Sequence, residues 1–226
     1  MGGRGSYSIT GYGDGGGVGG GGTLGAPLPA YAVASLNRGT AKGTTPEAAI
    51  QRFREQLMNQ KHEYSAFVDD AGYVHSMTSA GKEGSTGIAP LASVAKEKGV
   101  STIVHNHPHG GSDGRKWGGC LSGTDLETAA TMYRLTGGKV NKIVATSNEG
   151  TYIATVKKSI PSKTVKATVE KARTAAKKKE YGSELAMWRG LSDSYTKEFA
   201  KVGISIEFIP GTSKSAKFVT QQTGYY

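Results

Sequence analysis

The chain has 226 residues, with 28 Lys and Arg against 18 Asp and Glu, a formal net charge of +10 and a single cysteine. That length suits one domain of moderate size, or one domain with tails. Composition excludes several classes. No run nears the roughly 18 apolar residues of a membrane span, the start lacks the apolar core of a secretory signal, and Cys120 alone supports neither a disulfide framework nor a multi-cysteine zinc site.

Thirteen of the 34 glycines fall in residues 1–25. Such a segment buries too little apolar surface to offset the entropy of ordering, so it reads as a disordered tail. Met1-Gly2 with Ser6 loosely fits a myristoylation pattern, but Gly3 and Arg4 fit the tail better. Residues 26–43, with Pro27 and Pro29, read as a tether. Order is expected from Thr44. Thr45 before Pro46 is a helix start, and Ile50, Phe53 and Leu57 recur at helical spacing to about Gln60. Tyr64–Val68 and Tyr73–Thr78 read as a hairpin around Asp69-Asp70-Ala71-Gly72. After a polar loop over 79–87, a short helix Ala89–Lys98 ends at Gly99. Val100–Val104 is a buried-type strand leading into His105. Residues 108–121 form a glycine-rich loop. A helix from about Thr124 to Leu135 is expected, capped by Thr124 with Glu127. Strands Lys142–Ser147 and Thr151–Val156, helices over about 162–180 and 184–201, and a strand Val202–Ile209 complete the chain. The class is therefore α/β (α+β), a mixed β-sheet flanked by helices. Three regions are expected: a tail and tether over 1–43, a catalytic domain over 44–157, and a basic helical extension over 158–226 ending in a strand.

The segment that carries chemistry is His105-Asn106-His107-Pro108, followed by Ser122-Gly123-Thr124-Asp125. Histidines two apart point the same way on extended chain, so both can meet one ion at the tip of a strand. Asp125 sits in the first turn of a helix, where the dipole favours a carboxylate. Two imidazoles, a carboxylate and a water make a zinc site with an open position, the catalytic type. Glu63, opening the strand Tyr64–Val68, is the candidate general base, and Ser122 a candidate donor to an oxyanion.

At these residues the chain resembles the JAMM (MPN+) metalloproteases, whose pattern is an early-strand Glu, then His-x-His-Pro, then Ser-x-x-Asp. It looks closest to the RadC-like bacterial and phage branch, where His-Asn-His-Pro is usual, and Glu63-Tyr64-Ser65-Ala66-Phe67-Val68-Asp69 looks like that branch's Glu strand. The resemblance covers about residues 45–157. It implies a JAMM/cytidine-deaminase-like core, Zn²⁺ held by His105, His107 and Asp125, Glu63 as general acid/base, and Ser122 steadying the tetrahedral intermediate. The implied activity is peptide or isopeptide hydrolysis, with a protein, a peptide or a ubiquitin-like conjugate as substrate and a cytoplasmic setting in a bacterial or phage-infected cell. One departure is the seventeen residues between His107 and Asp125, longer than the family's spacing. A glycine-rich insertion closes at small entropic cost, but it can also alter the substrate groove.

Other readings stand beside this one. Glu83 is the rival base, and Asp113 is nearer in sequence but lacks the Ser-x-x-Asp setting. Ser122-x-x-Asp125 also fits a capping box. Cys120 is either a loop thiol or half of a Cys/His pair. Trp117 contacts substrate or packs over the site, and His62, His75 and His109 read as solvated. Residues 157–179 hold nine Lys or Arg and one acid, Glu170, and present either a solvated helix face or a nucleic-acid surface. Lysines alternating there with Val165, Val169 and Ala172 favour the solvated face. A nucleic-acid-associated protein and a non-catalytic structural module are the rival functions.

Overall fold

A computed structural model describes residues 26–27, 30–37, 44–79, 99–110 and 114–211. The expected tail 1–25, the helix Ala89–Lys98, Glu83, Asp113 and the aromatic end Tyr225-Tyr226 lie outside the described residues. Twelve elements follow in chain order: β1 (Ala26–Pro27), α1 (Ala30–Asn37), α2 (Pro46–Leu57), β2 (Tyr64–Asp69), β3 (Val74–Ser79), β4 (Val100–Asn106), α3 (Gly123–Leu135), β5 (Lys142–Ser147), β6 (Gly150–Val156), α4 (Ser162–Lys177), α5 (Glu184–Ala200) and β7 (Ile204–Pro210). The strands form one mixed sheet in the order β1-β3-β2-β4-β5-β6-β7. Every neighbouring pair is antiparallel except β4 and β5, which run parallel.

The period-2 alternation of the central strands divides the core into two layers. Ala66, Val68, Val104 and Val144 face α1 and α2, packing with Leu36, Ile50, Phe53 and Leu57. Phe67, Ile103, Ile143 and Ala145 face the other way, with Leu126 of α3, Val165 and Val169 of α4, and Met187, Trp188, Leu191 and Tyr195 of α5. The sheet therefore lies between two helical layers, and β4 near its centre is covered on both sides.

Local chemistry sets the boundaries. Thr45 caps α2, its hydroxyl accepting from Ala48 N–H, with Pro46 in the first turn. Gly72 takes a positive φ of 77° in the β2–β3 turn, where a side chain would strike the Thr45 carbonyl.

Three expectations change. The segment read as a tether contains α1, whose Leu36 is fully buried and whose Asn37 side chain bonds both Val74 N–H and Val74 C=O. The first strand of the motif runs on to Asn106, so His105 lies inside β4 rather than beyond it. The boundary at 157 does not separate two cores: α4, α5 and β7 share one apolar cluster with α3, β4, β5 and β6, and β7 extends the sheet by pairing along the whole of β6. No helix among the described residues is long and apolar enough to cross a membrane.

Candidate metal centre

In the ladder, Ser65 of β2 stands opposite His105 of β4. Continued by two residues, that antiparallel register sets Glu63 opposite His107. Alternation puts Glu63, Ser65, His105 and His107 on one face of the sheet, the face covered by α3. His107 lies just past the strand, its N–H bonded to Thr146 C=O of β5 at 2.8 Å. The fourth participant comes from the N-terminus of α3. Here the structure corrects the expected cap: Ser122 is the N-cap rather than Thr124, and Asp125 rather than Glu127 closes the capping box. Ser122 Oγ accepts from Asp125 N–H at 3.1 Å, and Asp125 Oδ2 accepts from Ser122 N–H at 2.7 Å. Capping thus holds the Asp125 carboxylate at the helix start, where the dipole also favours it.

The three groups converge in the interior. His105 and Asp125 are fully buried and His107 is 3% exposed. The two Nε2 atoms are 3.0 Å apart, His105 Nε2 is 3.2 Å from Asp125 Oδ1, and His107 Nε2 is 3.6 Å from Asp125 Oδ2. Donors about 2.0–2.1 Å from a tetrahedral ion stand about 3.3 Å from one another. The observed separations bracket that value, so the residues fit one small divalent cation. Among the described residues this is the one cluster of three His, Cys, Asp or Glu side chains whose ligand atoms all fall within 4.8 Å.

Electrostatics agree with a cation site. Burial pushes the Asp125 carboxyl upward, but the two histidines outweigh it and hold the group below its ordinary value. Burial lowers His105 against the opposing pull of Asp125, which favours the neutral, ligating imidazole. His107 Nδ1 lies 3.3 Å from Gly119 C=O, so the proton belongs on Nδ1 and Nε2 is left as the ligand atom. Glu63 is 1% exposed, and its Oε2 makes no hydrogen bond. Desolvation, helped by the nearby Asp125 charge and opposed by Arg115, raises its pKa well above the ordinary carboxyl value. A buried carboxyl group with an unbonded oxygen, on the same face as two histidines, is costly to fold as a charge unless it takes up a proton or a cation binds there.

The long insertion is not a loose surface loop where it is described. Glu149, in the turn between β5 and β6, accepts from Gly118 N–H, Gly119 N–H and Tyr152 O–H. Glu184 of α5 accepts from Lys116 N–H, Trp117 N–H and Trp188 Nε1–H. Two buried carboxylates thus hold four consecutive backbone donors and fix the Gly119 carbonyl that faces His107. Gly118 passes so close to His107 C=O and Ser147 that a Cβ there would collide with both.

Cys120 is buried and its thiol is pushed up by desolvation and by Glu149, which speaks against the Cys/His nucleophile reading. Trp117 packs partly buried against the α3–α5 core. His75 is not merely solvated, since its Nε2 lies 2.7 Å from Asp69 Oδ2. Glu149, Glu184 and Asn106 make buried hydrogen bonds around the candidate site that sequence reasoning missed. For Asn106 a signal existed: between two residues facing the site it must face the opposite, buried side, where an amide needs partners. A Glu in an Asn-Glu-Gly turn reads as solvent-exposed, so Glu149 offered none.

The chain matches no family model, no curated protein and no solved structure.

Proposed function

We propose that the protein is a zinc-dependent hydrolase of amide bonds, a peptidase or isopeptidase of the JAMM type that the sequence motif resembles. One observation carries the reading: His105, His107 and Asp125 converge with their donor atoms spaced for one ion, on the sheet face that also bears a buried carboxylate with an unbonded oxygen, Glu63. His105, His107 and Asp125 would hold the ion. Three protein ligands from imidazole and carboxylate suit Zn²⁺ and leave a coordination position open. When bound, the ion supplies Lewis acidity, lowering the pKa of water and polarising a carbonyl oxygen. Glu63, with its raised pKa, is poised to take the proton of the attacking water and return it to the leaving amine. Ser122 Oγ already accepts from Asp125 N–H, so its own hydroxyl proton is available to donate to a developing oxyanion. These side chains are buried, which strengthens each of these interactions.

Elemental analysis of the purified chain tests this reading. Wild type should carry close to one zinc per chain and His107→Ala far less. Glu63→Gln should retain zinc while amide hydrolysis falls about 10²-fold or more. Wild-type protein that takes up no divalent metal would refute the proposal.

A further inference from the structure

Asn106 stands between the two histidines and, by strand alternation, points to the opposite face of the sheet. It is fully buried. Its Oδ1 accepts from Tyr64 N–H at 2.7 Å, and its Nδ2 donates to His62 C=O at 3.1 Å and to Leu57 C=O at 3.2 Å. Tyr64 N–H and His62 C=O belong to the two peptide units that flank Glu63. One amide side chain therefore grips Glu63 on both sides of its Cα. The third bond reaches the last residue of α2, so the whole connection between α2 and β2 is tied to β4. Ser79 Oγ–H adds a bond to Glu63 C=O itself at 2.8 Å. The arrangement links two things in one residue pair. The strand that aims His105 and His107 at the site also carries, on its reverse face, the group that fixes the carboxylate they work with.

We infer that Asn106 is a positioning residue: it sets the place of the Glu63 carboxylate relative to the His105–His107–Asp125 centre. The inference rests on the hydrolase reading above. The geometry requires both a donor and an acceptor of amide shape. An alanine removes all three bonds, whereas an aspartate keeps the acceptor for Tyr64 N–H and loses the two donated bonds. Asn106 touches none of the three ligating atoms in the structure, so its effect on the site passes through the Glu63 backbone.

The test is a double-variant cycle read with Co²⁺ alone as the probe, because the visible bands of a cobalt-loaded protein report the surroundings of the metal. Wild type, Glu63→Gln, Asn106→Ala and Glu63→Gln/Asn106→Ala are each loaded as the full chain. All four should bind one Co²⁺, because the ligands are untouched. Asn106→Ala should shift the bands in the direction that Glu63→Gln does, and should add nothing in the Glu63→Gln background, since a residue acting through Glu63 has no further route. In the metal-free chain, exchange of the Tyr64 amide should quicken at least about tenfold in Asn106→Ala. If that variant does not fold, Asn106→Asp carries the same comparison, with a smaller band shift expected. Wild-type bands in either Asn106 variant, an undiminished shift in the Glu63→Gln background, or unchanged Tyr64 exchange in Asn106→Ala would overturn the inference while leaving the hydrolase reading intact. Failure of wild type to bind Co²⁺ or Zn²⁺ sinks that reading, and the inference with it.

Discussion

Burial of Glu63 carries a pH-dependent cost in stability. Desolvation raises its folded-state pKa, so the native metal-free chain holds that proton more tightly than the unfolded chain does. Its contribution to stability is then fully present below the ordinary carboxyl value of 4.5 and is lost as pH rises through the folded value. Glu63→Gln removes the titration. Metal-free Glu63→Gln should therefore melt above metal-free wild type at pH 7–8, by about 2–4 °C for each kcal/mol gained, with the gap closing towards pH 4.5. Thermal melts across that range check it, and a gap independent of pH would show that Glu63 is not desolvated. Cys120 gives a second check at this scale. Buried, with its thiol pushed up, it should resist alkylation in the native chain and react fully on denaturation. Native-state labelling at the rate of a free thiol would reopen the nucleophile reading.

At the scale of elements, the sequence exposed what periodicity and capping encode. Thr45-Pro46 announced α2, Asp69–Gly72 the β2–β3 turn, and the apolar run of β4 led to the histidines. The cluster of His105, His107 and Asp125, which could hold a metal ion, was legible because His-x-His on extended chain and an acid at a helix start are local patterns. Long-range satisfaction was not legible. Leu36 of α1 reaches the core from a segment that composition made look like a tether, and the carboxylates of Glu149 and Glu184 find their donors 30 to 68 residues away in the chain. The same bonds bring the insertion up to the candidate metal centre, since they fix the Gly119 carbonyl facing His107. Glu149→Gln, which gives up the charge on the acceptor of Gly118 and Gly119 N–H, should weaken Zn²⁺ binding about 10–100-fold in competition with a chromophoric chelator. Unchanged affinity would mean that the loop holds its shape without the carboxylate.

Over the whole molecule, the basic C-terminal segment acts first as a wall of the core. Val165, Val169, Ala172 and Ala176 of α4 are buried against α3 and α5, and Gly123 at the start of α3 lies so close to Val169 that a Cβ would press into it. The helix that positions Asp125 is thus braced by α4. The lysines take the remaining face. Lys163, Lys166, Lys171 and Lys177–Lys179 are exposed, with Lys166 3.9 Å from Glu127 and Lys171 3.0 Å from Glu198. Glu198 also holds Lys201 at 2.6 Å, so part of the positive charge is already answered by acids of neighbouring helices. Such exposed pairs add little to stability, but they dilute the single-signed field that phosphate binding needs. The face is amphipathic in the way of a helix packed on one side and solvated on the other. Binding to duplex or single-stranded DNA should accordingly be negligible at physiological salt, and Lys177→Ala/Lys178→Ala/Lys179→Ala should change neither that nor zinc content. A titration showing tight binding whose logarithm falls steeply with the logarithm of salt concentration, and which the triple substitution abolishes, would instead identify this surface as a nucleic-acid interface and make the nucleic-acid-associated function the leading one.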